Sequence, residues 1–270
     1  SRFPGIAYKR MPSQICHILA GRDALAKARR SIPPLLEPVF AIGCQGPDIF
    51  SHNRRTRPFA LTYARALHRR GYGTFCRYAA EHLVRFPDPV KKAWLYGFVT
   101  HQAVDRTVHP YIVYRSAVKQ SSCVSGVSPG LYHAFMERIL DVMLLLKLRG
   151  ERPEEFLSAS MLLIDVPAVP ALTELIASAL RSCYPDKTVE DSLLEKRIGN
   201  AFEDALFLYR ITDPFHTSMQ RPANHESRRR LYESGQRGVA LLYPELTGSS
   251  VDWLNEHHGT WRNPASGQPS

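Results

Sequence analysis

Apolar residues recur at helical spacing along most of this chain, and no stretch alternates cleanly with the two-residue period of a strand. Between residues 59 and 86, Leu61, Ala64 and Leu67, then Phe75, Tyr78, Ala79, Leu83 and Phe86, fall at helical spacings, with Gly71 and Gly73 marking a break. Residues 89–109 open at Asp88-Pro89, a good helix start, and run through Trp94, Leu95, Phe98, Val99 and Val104. They are expected to stop at His109-Pro110, because a proline ring lacks the N–H and crowds the preceding turn. Segments 130–147, 154–164, 169–184 and 188–210 read likewise, and 226–241 is a polar, Arg-rich helix candidate. Pro33-Pro34, Gly126 to Gly130, Pro167 to Pro170 and Pro185-Asp186 punctuate them. The pattern predicts an all-α fold, a single multi-helix domain over 11–258, with loosely ordered ends at 1–10 and 259–270.

Composition excludes several alternatives. The 270 residues are 44% apolar and 22% charged, too hydrophobic for a disordered chain and enough for a real core. No apolar run approaches the ~20 residues of a membrane helix; the longest candidate, Val142 to Leu146, ends at Lys147. Residues 1–10 lack the apolar stretch of a secretory signal, so a cytoplasmic protein is expected, with a signal or lipoprotein leader removed upstream of Ser1 left open. Five cysteines without a C-x-x-C pair argue against a disulfide scaffold and exclude a zinc ribbon. Residues 1–120 carry 20 Lys/Arg against 6 Asp/Glu, and residues 121–270 carry 15 against 19. A cationic first half suits an anionic partner: nucleic acid, acidic headgroup or phosphorylated small molecule.

Several of the histidines stand at ligand spacings. His101 and Asp105 are four apart in a predicted helix, so they project from one face. His109 lies two turns beyond His101, rotated by about 80° at 3.6 residues per turn. His133 and Glu137 repeat the spacing on another helix. Imidazole and carboxylate on one face make half of a zinc site, although the same spacing also makes plain surface pairs.

The segment Ile42-Gly43-Cys44-Gln45-Gly46-Pro47-Asp48, with Cys16-His17 upstream and the string from Gly97 through His101, Asp105, His109 and Pro110 to Tyr111 downstream, resembles the bacterial zinc-dependent phospholipase C family. That family shares a helical fold, with a zinc cluster between helices, with the single-strand-specific fungal nucleases. The resemblance covers about His17 to Asp141. It implies that Asp48 holds a first zinc with His68, His101 and Asp105, and is catalytic, orienting or deprotonating the attacking water. It implies that Asp105 bridges to a second ion held by His17, and that His109, His133 and Glu137 hold a third. About two or three zinc ions per chain are therefore expected. In the secreted members an N-terminal amine completes the site; here Met11-Pro12 precedes His17 by a short spacer, and Pro12 offers that amine if Met11 is removed.

His52 competes with His68, being nearer to Asp48 in sequence. Arg54, Arg55 and Phe50 are candidate substrate-binding residues, and Asp141, one turn after Glu137, is a candidate to orient a ligand from behind. The expected function is zinc-dependent hydrolysis of a phospholipid headgroup or related soluble phosphodiester by a metal-activated water. Two alternatives stay open: a single-strand nuclease, with Tyr111, Tyr114 or Phe50 to stack bases, and a metal-stabilised module that binds phosphate without turnover. Residues 150–270 offer nothing but packing to a sequence reading, and no oligomeric state follows.

Overall fold

The structure, a computed structural model, describes residues 14–122 and 167–212, together with 136–137, 140–141, 143–145, 147–150, 162 and 164. Among the described residues every regular element is a helix. In chain order these are α1 (Gln14–Lys27), a 3-10 turn (Pro34–Leu36), α2 (Glu37–Cys44), α3 (Asp48–Ser51), α4 (Leu61–Arg69), α5 (Tyr72–Arg85) and α6 (Pro89–Ser122). Then follow α7 (Ala168–Cys183), α8 (Pro185–Thr188) and α9 (Leu194–Thr212). The described residues of 136–149 are also helical. Among the described residues no helix is long and apolar enough to cross a membrane. The limits of the expected 11–258 domain, its two ends, and the helix candidate at 226–241 lie outside the described residues.

The break expected near Gly71 falls between α4 and α5. Asp88 begins α6 as anticipated, its Oδ1 accepting the N–H groups of Val90 (2.7 Å) and Lys91 (3.0 Å), which the first turn of a helix leaves unpaired. The expected stop at Pro110 is overturned: α6 continues through it to Ser122. An interior proline costs about 3 kcal/mol. Beyond it, however, Ile112 is buried against Met136, with Val108, Tyr111, Leu140 and Met143 around them, and this packing holds the helix on course. The 188–210 segment is also not one helix; α9 begins only at Leu194, after a turn in which Asp191 accepts the Tyr63 hydroxyl at 2.6 Å.

The core is centred on α6, whose Trp94 and Phe98 are fully buried, their rings 4.6 Å apart, with Phe75 of α5 5.0 Å from Phe98. Burying each such side chain contributes about 1.5–3 kcal/mol. α5 packs on α7 and α7 on α9, so the C-terminal helices close the core from the side opposite α1 and α2.

Among the described residues, the most extensive packing between two helices is that of α2 on α6. A Cβ added at Gly43 would sit 2.2 Å from Trp94 O, and one at Gly97 would sit 2.2 Å from Phe40 O. Two glycines therefore let the helix backbones touch, and this crossing carries the chain leaving α2 to the middle of α6. The turn that follows needs Gly46 at φ 56°, in the left-handed region. A Cβ there would lie 2.3 Å from the His101 ring.

Candidate metal centre

That crossing and turn bring Asp48, the first residue of α3, against His101 of α6. His101 is fully buried, and Asp105 stands one turn further along the same helix with its Oδ2 3.3 Å from His101 Nε2. His68 reaches in from the end of α4, its Nε2 3.3 Å from Asp48 Oδ1 and 3.8 Å from Asp105 Oδ2. His17 comes from α1, stacked on His101 with ring centroids 4.2 Å apart, its Nε2 3.4 Å from Asp105 Oδ1. His109 Nε2 lies 3.5 Å from the same Oδ1 and 3.3 Å from Glu137 Oε1.

The two oxygens of Asp105 thus face different histidines: Oδ2 faces His68 and His101, and Oδ1 faces His17 and His109. Ligand atoms of His17, Asp48 and His101 all lie within 4.8 Å of one another, and so do those of His68, His101 and Asp105. The backbone fixes which ring nitrogen looks inward. His101 Nδ1 sits 3.0 Å from Cys44 O, and His68 Nδ1 sits 2.8 Å from Ala64 O, which leaves each Nε2 for the centre. Tyr72 stacks on Phe98 at 4.8 Å, lies beneath His101, and donates its hydroxyl to Phe98 O.

Electrostatics describes the same cluster. Burial pushes the Asp105 carboxyl up, but the facing imidazoles of His101 and His17 outweigh it and hold the group far below the usual carboxylate range. Asp48 is held down in the same way, against its burial, by His68 and His101. His68 moves the other way: burial opposes its charge, yet the bond to Asp48 raises it to about 9. His109 is raised by Glu137 and Asp105 against its burial. His17 is lowered, by burial first and His101 second.

These donors fit a cation. His101 Nε2 and Asp105 Oδ1 are buried inside the cluster, and the groups facing them stand 3.3 Å or more away without a well-made hydrogen bond. Polar atoms buried in this way are costly unless something positive satisfies them. Imidazole nitrogen with carboxylate oxygen is zinc's preferred mixture.

The structure assembles His17, Asp48, His68, His101, Asp105, His109 and Glu137 in one cluster. His133 lies outside the described residues, as do Met11 and Pro12. Of the two histidines near Asp48 in the chain, His68 meets its carboxylate, at 3.3 Å. His52 is buried with its Nε2 unpartnered, its ring edge-on to Tyr209 at 5.6 Å, and burial lowers it to about 4.

Of the candidate substrate residues, Phe50 is the one the structure takes away from solvent. Phe50 is 1% exposed and belongs to the core, which corrects the expectation that its ring meets substrate. Arg55 lies over the Phe207 ring at 3.7 Å and near Asp204, and Arg54 Nε donates to Ser51 O at 3.2 Å.

Three contributors were not legible. Gly46 has its role only because His101 comes within reach of it from another helix. Tyr72 lies between Gly71 and Gly73, outside the apolar periodicity that marks the neighbouring helices. Asp204, in a segment that seemed to offer only packing, accepts hydrogen bonds from Asn53, Arg54, Arg55 and Thr56 and so fixes the loop after α3.

An all-helical fold with a histidine–carboxylate cluster, arranged around an aspartate that faces histidines with both of its oxygens, is the architecture of a metal-dependent class of protein. The family model for zinc-dependent phospholipase C matches residues 16–189, reaching beyond Asp141 through α7 and α8. The chain belongs to the zinc-dependent phospholipase C family. No curated protein and no solved structure matches it.

Proposed function

We propose that this protein hydrolyses a phosphodiester, either a phospholipid headgroup ester or a soluble diester of the same chemistry, with about two or three zinc ions held by the cluster. One observation carries the reading: Asp105 presents each carboxylate oxygen to a different set of imidazoles, the arrangement a bridging ligand needs. His68, His101, Asp48 and Asp105 would hold one ion, and His17 with Asp105 another. His109 and Glu137 would contribute to a further position, together with His133.

Zinc held by these donors supplies Lewis acidity that lowers the cost of charge on phosphoryl and water oxygens. Asp48 is ionised at neutral pH, its carboxyl held below the ordinary range. In this reading it orients the attacking water and accepts its proton. The water oxygen forms the new bond to phosphorus, the bond from phosphorus to the alcohol oxygen breaks, and that oxygen takes a proton from solvent. The cationic first half of the chain draws the anionic diester toward the cluster. The partly exposed side chains of His68 (30%) and His109 (40%) form its open side.

The test pairs a zinc count with turnover of p-nitrophenyl phosphorylcholine, bis-p-nitrophenyl phosphate and single-stranded DNA, with and without EDTA. Zinc-dependent release from the phosphorylcholine ester supports a headgroup substrate. Release from the bis-ester alone points to a soluble diester, and DNA cleavage alone replaces the lipid reading with a nuclease. Asp105→Asn is expected to lose activity together with at least one ion. Full activity in that variant, or a wild-type chain without zinc, refutes the proposal.

A further inference from the structure

The start of α1 is held by a residue more than a hundred positions away. Asp141 Oδ2 accepts the Ile15 N–H at 3.0 Å, and its Oδ1 accepts the Cys16 N–H at 2.7 Å, with both bonds buried. These are first-turn donors that α1 cannot satisfy within itself, and a carboxylate there also meets the positive end of the helix. Charge-assisted bonds of this kind are short and about twice as strong as neutral ones. The next residue after Cys16 is His17. Gln45, fully buried, adds a contact from its Nε2 to Gln14 O at 3.4 Å.

One turn before Asp141 on the same helical segment stands Glu137, whose Oε1 is 3.3 Å from His109. A single helical face therefore touches the cluster through one carboxylate and grips the backbone of a second ligand-bearing helix through the other.

We infer that Asp141 is the positioning residue for His17, clamping the first turn of α1 so that the imidazole stays on Asp105 Oδ1. The inference rests on the metal-centre reading above. It assigns Asp141 no contact with substrate or metal; its effect passes through His17. The ion nearest His17 should then depend on Asp141, while the ion between His68, His101 and Asp48 should not.

The test is a double-mutant cycle on zinc binding. Zinc affinity is measured by chelator competition for wild type, Asp141→Ala, His17→Ala and the double variant, with cobalt spectra to distinguish the ions. Asp141→Ala is expected to weaken one ion by about 10–100-fold, the scale of a lost outer partner. His17→Ala should affect the same ion, and the double variant should lose no more than His17→Ala alone. Asp141→Asn, which keeps one acceptor oxygen, should recover part of the loss. Amide exchange in EDTA-treated protein gives a readout without metal: the Ile15 and Cys16 amides should exchange at least about tenfold faster in Asp141→Ala, with α2 unchanged.

Additive losses, or equal weakening of all ions, overturn the inference and leave the zinc reading standing. Unchanged exchange at Ile15 and Cys16 overturns it as well. A wild-type chain that binds no zinc overturns the functional reading and this inference with it.

Discussion

Asp204 gives the sharpest quantitative test of how the fold holds its site. Its carboxylate, almost wholly buried, accepts five hydrogen bonds at 2.6 to 2.9 Å: the N–H groups of Arg54, Arg55 and Thr56, the Asn53 amide and the Thr56 hydroxyl. Asp204→Ala removes the acceptor and leaves those donors facing an apolar gap; breaking a buried charged network of this kind costs about 3–5 kcal/mol. Asp204→Asn keeps the shape and one oxygen but loses the charge, so bonds roughly twice as strong as neutral ones fall to ordinary strength. About 1.5–2.5 kcal/mol is expected for that change. At about 2–4 °C per kcal/mol for a chain of this size, Asp204→Ala should melt about 6–20 °C lower and Asp204→Asn about 3–10 °C lower. The pH dependence follows from the sign of the shift. Burial pushes the Asp204 carboxyl up, but the bonds from Thr56, Arg55 and Asn53 outweigh it and hold the group below its ordinary value. The charge therefore stabilises the fold fully above the unfolded value of about 3.9, and that contribution is lost as pH falls through the lower folded value. Urea unfolding of wild type and Asp204→Asn should show a constant gap between pH 7 and 5 that closes in stronger acid. Equal losses for Ala and Asn, or a gap that persists unchanged in acid, would refute the claim that the charge matters.

Three further outcomes are expected. Gly97→Ala places a methyl 2.2 Å from Phe40 O, so the free energy of unfolding should drop by about 1–3 kcal/mol or more in a urea titration, and zinc content should fall because the α2–α6 crossing positions Asp48. His68→Ala should lose zinc and activity, whereas His52→Ala should keep its zinc and lose only stability; a metal count on the two variants decides between the histidines. EDTA should lower the melting temperature, since an ion present at a thousand times its dissociation constant stabilises by about 4 kcal/mol; an unchanged melt would mean that the cluster binds nothing.

What was legible in the sequence was what is local. His101, Asp105 and His109 share a helix, so spacing alone places them together, and the distances agree. α2 escaped periodicity because it has no polar face: Val39 through Cys44 are buried without interruption, and a helix hydrophobic all round leaves no amphipathic signal. His52 looked competitive because it is close to Asp48 along the chain, yet His68 arrives through the packing of α4 on α3. Pro110 signalled an end that Ile112 and Met136 override. Phe50, a candidate for substrate two residues after Asp48, is turned into the core by α3. In each case the missing information is a contact between elements distant in sequence.

Among the described residues the fold buries five carboxylates, and they fall into two kinds. Asp48, Asp105 and Glu137 face imidazoles, whereas Asp141 and Asp204 face backbone N–H groups. The two kinds should respond to acid separately. Imidazole partners take up protons in competition with a metal, and His68 and His109 have raised proton affinity in this setting, so zinc should leave as pH falls below neutrality. Backbone N–H groups do not titrate, so the Asp204 clamp should hold until its carboxylate is itself protonated, below about 3.9. Zinc release followed with a chromophoric chelator should therefore precede the loss of near-ultraviolet circular dichroism by at least about one pH unit. If the two transitions coincide, the ligands and the clamps form one cooperative unit, and the division between a loadable centre and a rigid frame around it is wrong.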